Sequence, residues 1–172
     1  SMLRDFAIVA TAYGANFSYL KSSGKAGIFS LFFGVILSFS LGAIVAIAFG
    51  YDDPKDITTI GAGTVTFVVG PVSGSAMGAR SEVIALSIAA GLVKSILVMT
   101  MTPLFAKRIG LDNPKSAMVF GGLMGTNSGV AAGLAAVDPK LVPYGAMTAT
   151  FYTAVGCLLV PSVLFLFIDL MF

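Results

Sequence analysis

Apolar residues run along this chain in long uninterrupted stretches. Residues 27–50, GIFSLFFGVILSFSLGAIVAIAFG, carry no charge over 24 positions, and residues 144–168 are equally clean. Residues 83–106 form a third stretch, interrupted only by Lys94. About 20 apolar residues suffice to span a bilayer, so each stretch predicts a transmembrane helix. Several such runs exclude a signal peptide, which is a single short N-terminal apolar segment. A shorter helix is expected over about 3–20, with Arg4 and Asp5 neutralising each other at the membrane edge. Ser1-Met2 reads as a cloning scar followed by a start or a truncation point, and the natural chain is expected to continue N-terminally.

Composition strengthens this picture. The 172 residues are 57% hydrophobic and 10% charged, against about 25% charged for a soluble domain. Most of the surface must therefore face a lipid bilayer. The single cysteine, Cys157, excludes a disulfide framework, and the absence of histidine removes the commonest transition-metal ligand. A net charge of +2 offers no nucleic-acid-binding face. No Ser-His-Asp, Cys-His or P-loop pattern occurs, so the chain is not expected to be an enzyme.

Two landmarks repeat. Residues 50–55 (GYDDPK) and 110–115 (GLDNPK) share G-x-D-[DN]-P-K at an offset of 60. Further on, GPVSGSAMG (70–78) matches GTNSGVAAG (125–133) at an offset of 55, which calls for one short indel near TVTFVV. Each pair follows an apolar span in the same order, as an internal duplication would produce. The other source of such matches is small residues recurring at helix-packing faces. The expected organisation is a single transmembrane domain over 1–172, with repeat 1 at about 27–80, repeat 2 at about 83–137 and a closing helix at 144–168.

Segments 57–79 and 117–137 either cross the membrane or dip in and return. Loop charges separate the options through the positive-inside rule. Full crossings place Lys21, Lys25, Arg80 and Lys140 opposite Lys55, Lys107, Arg108 and Lys115, which selects no orientation. Re-entrant segments place Lys21, Lys25, Lys107, Arg108, Lys115 and Lys140 opposite Lys55 and Arg80, the bias of a cytoplasmic face. The expected fold is therefore an all-α polytopic membrane protein with two Gly-rich re-entrant helical hairpins in an inverted repeat, as in secondary transporters.

Broken helices inside a membrane expose backbone that must line a cavity or pack against protein. Their N-termini suit a carboxylate, and unwound carbonyls and hydroxyls suit sodium. Candidate substrate contacts are Ser73, Gly74, Ser75, Thr126, Asn127, Ser128 and Gly129, with tips expected around Ser73–Ser75 and Thr126–Ser128. Gly70, Gly125 and Asn127 are candidate sodium ligands, the ion being the coupling ion. These polar residues equally serve as helix caps or interhelical hydrogen-bond partners. Lys94, a charge inside a span, is a functional candidate by default. It would offset a substrate carboxylate, unless it snorkels or pairs with a partner-subunit acid. Arg80 would grip the second carboxylate of a dianion, or simply pair with Glu82 at the interface. Asp52, Asp53, Asp112, Asp138, Lys55 and Lys115 lie in short Pro-containing loops and read as turn and cap residues.

Several stretches carry a family resemblance: MLRDFAIVATA (2–12), TTIGAGTVTFVVGPVSGSAMGA (58–79), GLDNPKSAMVFGGLMGTNSGVAAGLAA (110–136) and VPYGAMTATFYTAVGCLL (142–159). They resemble the MadM subunit of the malonate:sodium symporter over nearly the whole chain. The resemblance implies sodium-coupled uptake of malonate or a similar small dicarboxylate across a bacterial inner membrane, with a small second membrane subunit, MadL. It also implies transmembrane sequence preceding MLRDFAIVATA, while the tail VPSVLFLFIDLMF departs from the pattern. Homo-oligomerisation is compatible with this reading. A weaker likeness to the LrgB/CidB group supplies the alternative: a monocarboxylate transporter, or a holin-like pore or regulatory subunit.

Overall fold

A computed structural model describes residues 24–172; the helix expected at about 3–20, with Arg4, Asp5 and Lys21, lies outside the described residues. The described residues are all helix or short connection, with no strand among them. The first long helix, α1 (Gly24–Ala48), is followed by two short ones, α2 (Pro54–Val65) and α3 (Val69–Met77). The pattern recurs with α4 (Ser81–Phe105), α5 (Pro114–Met124) and α6 (Asn127–Ala135). A 3-10 turn at Pro139–Leu141 leads into α7 (Val142–Leu159), a π-helical turn at Val160–Leu164 and α8 (Phe165–Asp169). Pro161 accounts for that π turn, because it has no N–H and its ring displaces the preceding carbonyl.

Among the described residues three stretches are long and apolar enough to cross a membrane: Lys25–Ala48, Ser81–Phe105 and Pro139–Asp169. A 25-residue helix such as α4 rises about 37 Å, more than the ~30 Å hydrocarbon core. Phe29, Phe33, Ile36, Leu41 and Ile44 on α1, and Leu92, Val93, Ile96 and Leu97 on α4, point outward. Helices apolar on their outer faces as well as their inner ones suit lipid rather than water.

The G-x-D-[DN]-P-K motif encodes the same local structure twice. Gly50 (φ 87°) and Gly110 (φ 65°) take the left-handed conformation that ends a helix. The next N–H then reaches back five residues, Tyr51 to the Ala46 carbonyl and Leu111 to the Ala106 carbonyl. Asp53 caps α2 by accepting from the Lys55 N–H at 2.7 Å. Asn113 and Ser116 form a capping box on α5, and Pro54 and Pro114 take the first helical position, where a missing N–H costs nothing. Asp138 caps the 3-10 turn in the same way. Of the loop acids, Asp53 and Asp138 thus act as caps, while Asp112 accepts from Asn113 Nδ2 at 2.8 Å.

The short helices do not continue one another. A Cβ on Gly70 would meet Gly63, and one on Gly74 would meet Thr59. Beyond them Arg80 pairs with Asp56. The arms α2 and α3 thus lie side by side and antiparallel, the first starting and the second ending near the N-terminal end of α4. At the other end, Ala106, Leu111, Ala117, Leu134 and Leu141 share one apolar cluster, so α5 starts and α6 finishes near the C-terminal end of α4.

Candidate functional site

Among the described residues, two helix breaks lie beside the middle of α4. The first break is Thr66–Val68. Thr66 is extended (φ −153°, ψ 159°), and its hydroxyl accepts from the Val68 and Val69 N–H groups at 3.2 and 3.1 Å, starting α3. The carbonyls left at the end of α2 point at Lys94, whose Nζ lies 2.9 Å from Thr64 O and 3.1 Å from Val65 O. Lys94 also donates to Ser38 Oγ at 3.0 Å and reaches the Tyr152 hydroxyl at 3.4 Å.

The second break is Gly125–Thr126. Gly125 ends α5 at φ 68°, packed against the Tyr152 ring. Thr126 is the N-cap of α6, yet its hydroxyl does not bond the α6 backbone. It is hydrogen-bonded instead to the Ser95 hydroxyl, on the residue after Lys94. The first N–H groups of α6 are therefore left without a side-chain cap. Asn127 faces Thr150 on α7, with Nδ2 donating to Thr150 Oγ1 at 3.0 Å and its Oδ1 3.1 Å from the same hydroxyl. Ser128 is exposed, and Gly129 packs on the Ser95 backbone.

Tyr152 joins the two breaks. It is fully buried, its ring covers Gly125, and its hydroxyl donates to the Gly34 carbonyl of α1 at 3.1 Å while facing Lys94. Polar groups from α1, α4 and α7 thus converge on two broken helices that approach from opposite ends.

The remaining candidates lie away from this convergence. The first break falls before Ser73 and Ser75, not at them, because Thr66 supplies the cap that starts α3. Ser73 sits in the returning arm α3, wholly buried, and its hydroxyl finds no partner; Thr58 shares that condition. Gly70 packs on Ser87, Gly74 on Thr59 and Ile84, and Ser75 is exposed. Arg80 lies at the outer end of the first unit, where its Nε is 3.0 Å from Asp56 Oδ2. The Arg80 side chain is 64% exposed and that of Asp56 4%, so the pair holds a buried carboxylate to an exposed guanidinium. The hydrogen bond and charge of Asp56 raise the Arg80 pKa above its ordinary value.

Sequence reasoning missed Ser38, Ser95, Thr150 and Tyr152. The available signal was weak: single polar groups inside spans that read as uniformly apolar.

No curated protein and no solved structure matches the chain. The family model for the malonate/sodium symporter MadM subunit matches residues 1–172 of the chain. A transporter subunit accords with the three membrane-length helices among the described residues and with the convergence of polar groups on the broken helices. The chain belongs to the MadM family of malonate/sodium symporter subunits.

Proposed function

We propose that the chain is the transport subunit of a sodium-coupled uptake system for malonate or a similar small dicarboxylate. It works in a bacterial inner membrane with a small MadL-like subunit. One observation carries this reading: two helix breaks arrive from opposite ends and meet at consecutive residues, Lys94 and Ser95, in the middle of one span.

In this reading α2–α3 and α5–α6 are re-entrant hairpins of an inverted repeat. Residues with the same local role stay 60 positions apart: Gly50 and Gly110, Asp53 and Asn113, Pro54 and Pro114; Thr66 and Thr126, at the same offset, share the extended backbone of the break but not the hydroxyl's partner. Charge supports an orientation. Among the described residues Lys25, Lys107, Arg108, Lys115 and Lys140 belong to one end, and Lys55 and Arg80 to the other. The first end is then cytoplasmic.

Lys94 spends its donors on protein oxygens and Arg80 is paired with Asp56 at the outer end of the first unit, so the substrate contacts fall on the second break. The uncapped N-terminus of α6, Thr126 to Gly129, receives a carboxylate through backbone N–H groups. The Gly125 carbonyl and the Asn127 carboxamide oxygen suit sodium, a hard cation that takes oxygen ligands.

Uptake of labelled malonate into proteoliposomes, with and without an imposed sodium gradient and with and without the small subunit, tests this function. Accumulation that follows the gradient is expected. Gradient-independent leak would instead indicate a pore of the holin-like kind. Absence of flux with both subunits and the gradient present would overturn the reading.

A further inference from the structure

A helix that stops inside a membrane leaves the carbonyls of its last turn without N–H partners, at the negative end of its dipole. At the end of α2 two of these, Thr64 and Val65, are taken by Lys94. Ser38 Oγ and the Tyr152 hydroxyl complete the surroundings of the ammonium. Among the described residues all four acceptors are neutral oxygens, and they come from α1, α2 and α7. Nζ approaches the Tyr152 hydroxyl (3.4 Å) rather than the ring face, whose centroid is 5.3 Å away. Two carbonyls at a helix break with two hydroxyls form the kind of oxygen cage that binds a dehydrated monovalent cation.

We propose that Lys94 is a tethered cation: its ammonium fills a monovalent-cation site built by the first break. The charge that holds α2 against α1 and α7 is then covalently attached and never dissociates. Thr126 and Asn127, at the second break, face hydroxyls rather than a cationic side chain. If the transport reading above holds, exchange of the coupling ion is confined to the second break. The cation site itself does not depend on that reading, and its test uses no transport.

Lys94→Ala empties the cage, and Lys94→Met fills it with an uncharged chain of similar length. The thermal unfolding midpoint of the full chain in detergent is measured in tetramethylammonium, sodium and ethylammonium chlorides at equal ionic strength. Lys94→Ala is expected to lower the midpoint by on the order of 5 °C in tetramethylammonium, which cannot donate hydrogen bonds. Ethylammonium, small enough for the vacated space, should restore at least half of that loss. The wild-type midpoint should be the same in all three salts, and Lys94→Met should stay low in all three. A Lys94→Ala midpoint that responds equally to tetramethylammonium and ethylammonium overturns the proposal. So does a Lys94→Met midpoint equal to wild type, which also decides the matter where Lys94→Ala folds in neither salt.

Discussion

Lys94 and Ser95 are consecutive residues of α4, yet they hold different helix breaks. The Lys94 ammonium binds the Thr64 and Val65 carbonyls, and the Ser95 hydroxyl is hydrogen-bonded to Thr126. Neighbours on a helix point about 100° apart, so one turn of α4 presents two faces to two units. Displacement of either unit along α4 therefore disturbs the residue beside the one that anchors the other.

The Ser95–Thr126 bond is buried and joins two hydroxyls. Ser95→Ala and Thr126→Val should each lower stability by about 1 kcal/mol, with the double variant losing less than the sum. Thermal or denaturant unfolding of the four proteins checks this. Strict additivity would mean the hydroxyls do not interact.

Asp56 is buried and Arg80 exposed, so the two halves of this ion pair are not equivalent. Arg80→Ala leaves a buried carboxylate without its partner and should lower the unfolding midpoint clearly. Adding Asp56→Asn to that variant removes the stranded charge and should recover part of the loss. Failure of the double variant to recover would show that the guanidinium acts by packing rather than by charge.

The features that could be read from the sequence are those encoded locally. The three spans follow from long apolar runs, and G-x-D-[DN]-P-K carries a helix stop, a cap and a helix start within six residues. The position of the first break was not legible. Glycine and serine density points to Gly70–Ser75, whereas the break is set by Thr66 capping Val68 and Val69. In the second unit the density and the break coincide, because Gly125 itself takes the left-handed conformation. The partners of Lys94 lie between 29 and 58 residues away in sequence. No local pattern names Ser38 or Tyr152, since only folding brings them to the ammonium.

Gly125 combines a positive φ with a wall. A Cβ there would run into the Tyr152 ring, whereas at Gly78 and Gly110, also with positive φ, it would meet nothing within 4 Å. Backbone strain alone costs about 1 kcal/mol in an L residue, and overpacking adds about 1–3 kcal/mol. Gly125→Ala should therefore destabilise by on the order of 3 kcal/mol and Gly78→Ala by about 1 kcal/mol. Unfolding midpoints of the two variants compare them directly. Equal losses would mean that Tyr152 yields, and would remove it as a rigid link between the breaks.

Asn127 offers the most direct test of where the coupling ion sits. Its carboxamide is half-buried and held by Thr150, so its oxygen is oriented at the start of α6 beside the Thr126 cap. Asn127→Ala removes one proposed oxygen ligand without touching the Ser95–Thr126 contact. The sodium concentration for half-maximal malonate uptake should rise by on the order of tenfold, equivalent to about 1.4 kcal/mol. Thr150→Val keeps the oxygen but loses its anchor and should give a smaller rise. Ser128→Ala, at an exposed position in the same turn, should leave sodium dependence unchanged. Folded Asn127→Ala protein with wild-type sodium dependence would place the ion elsewhere; a loss confined to the malonate KM would assign Asn127 to the substrate carboxylate.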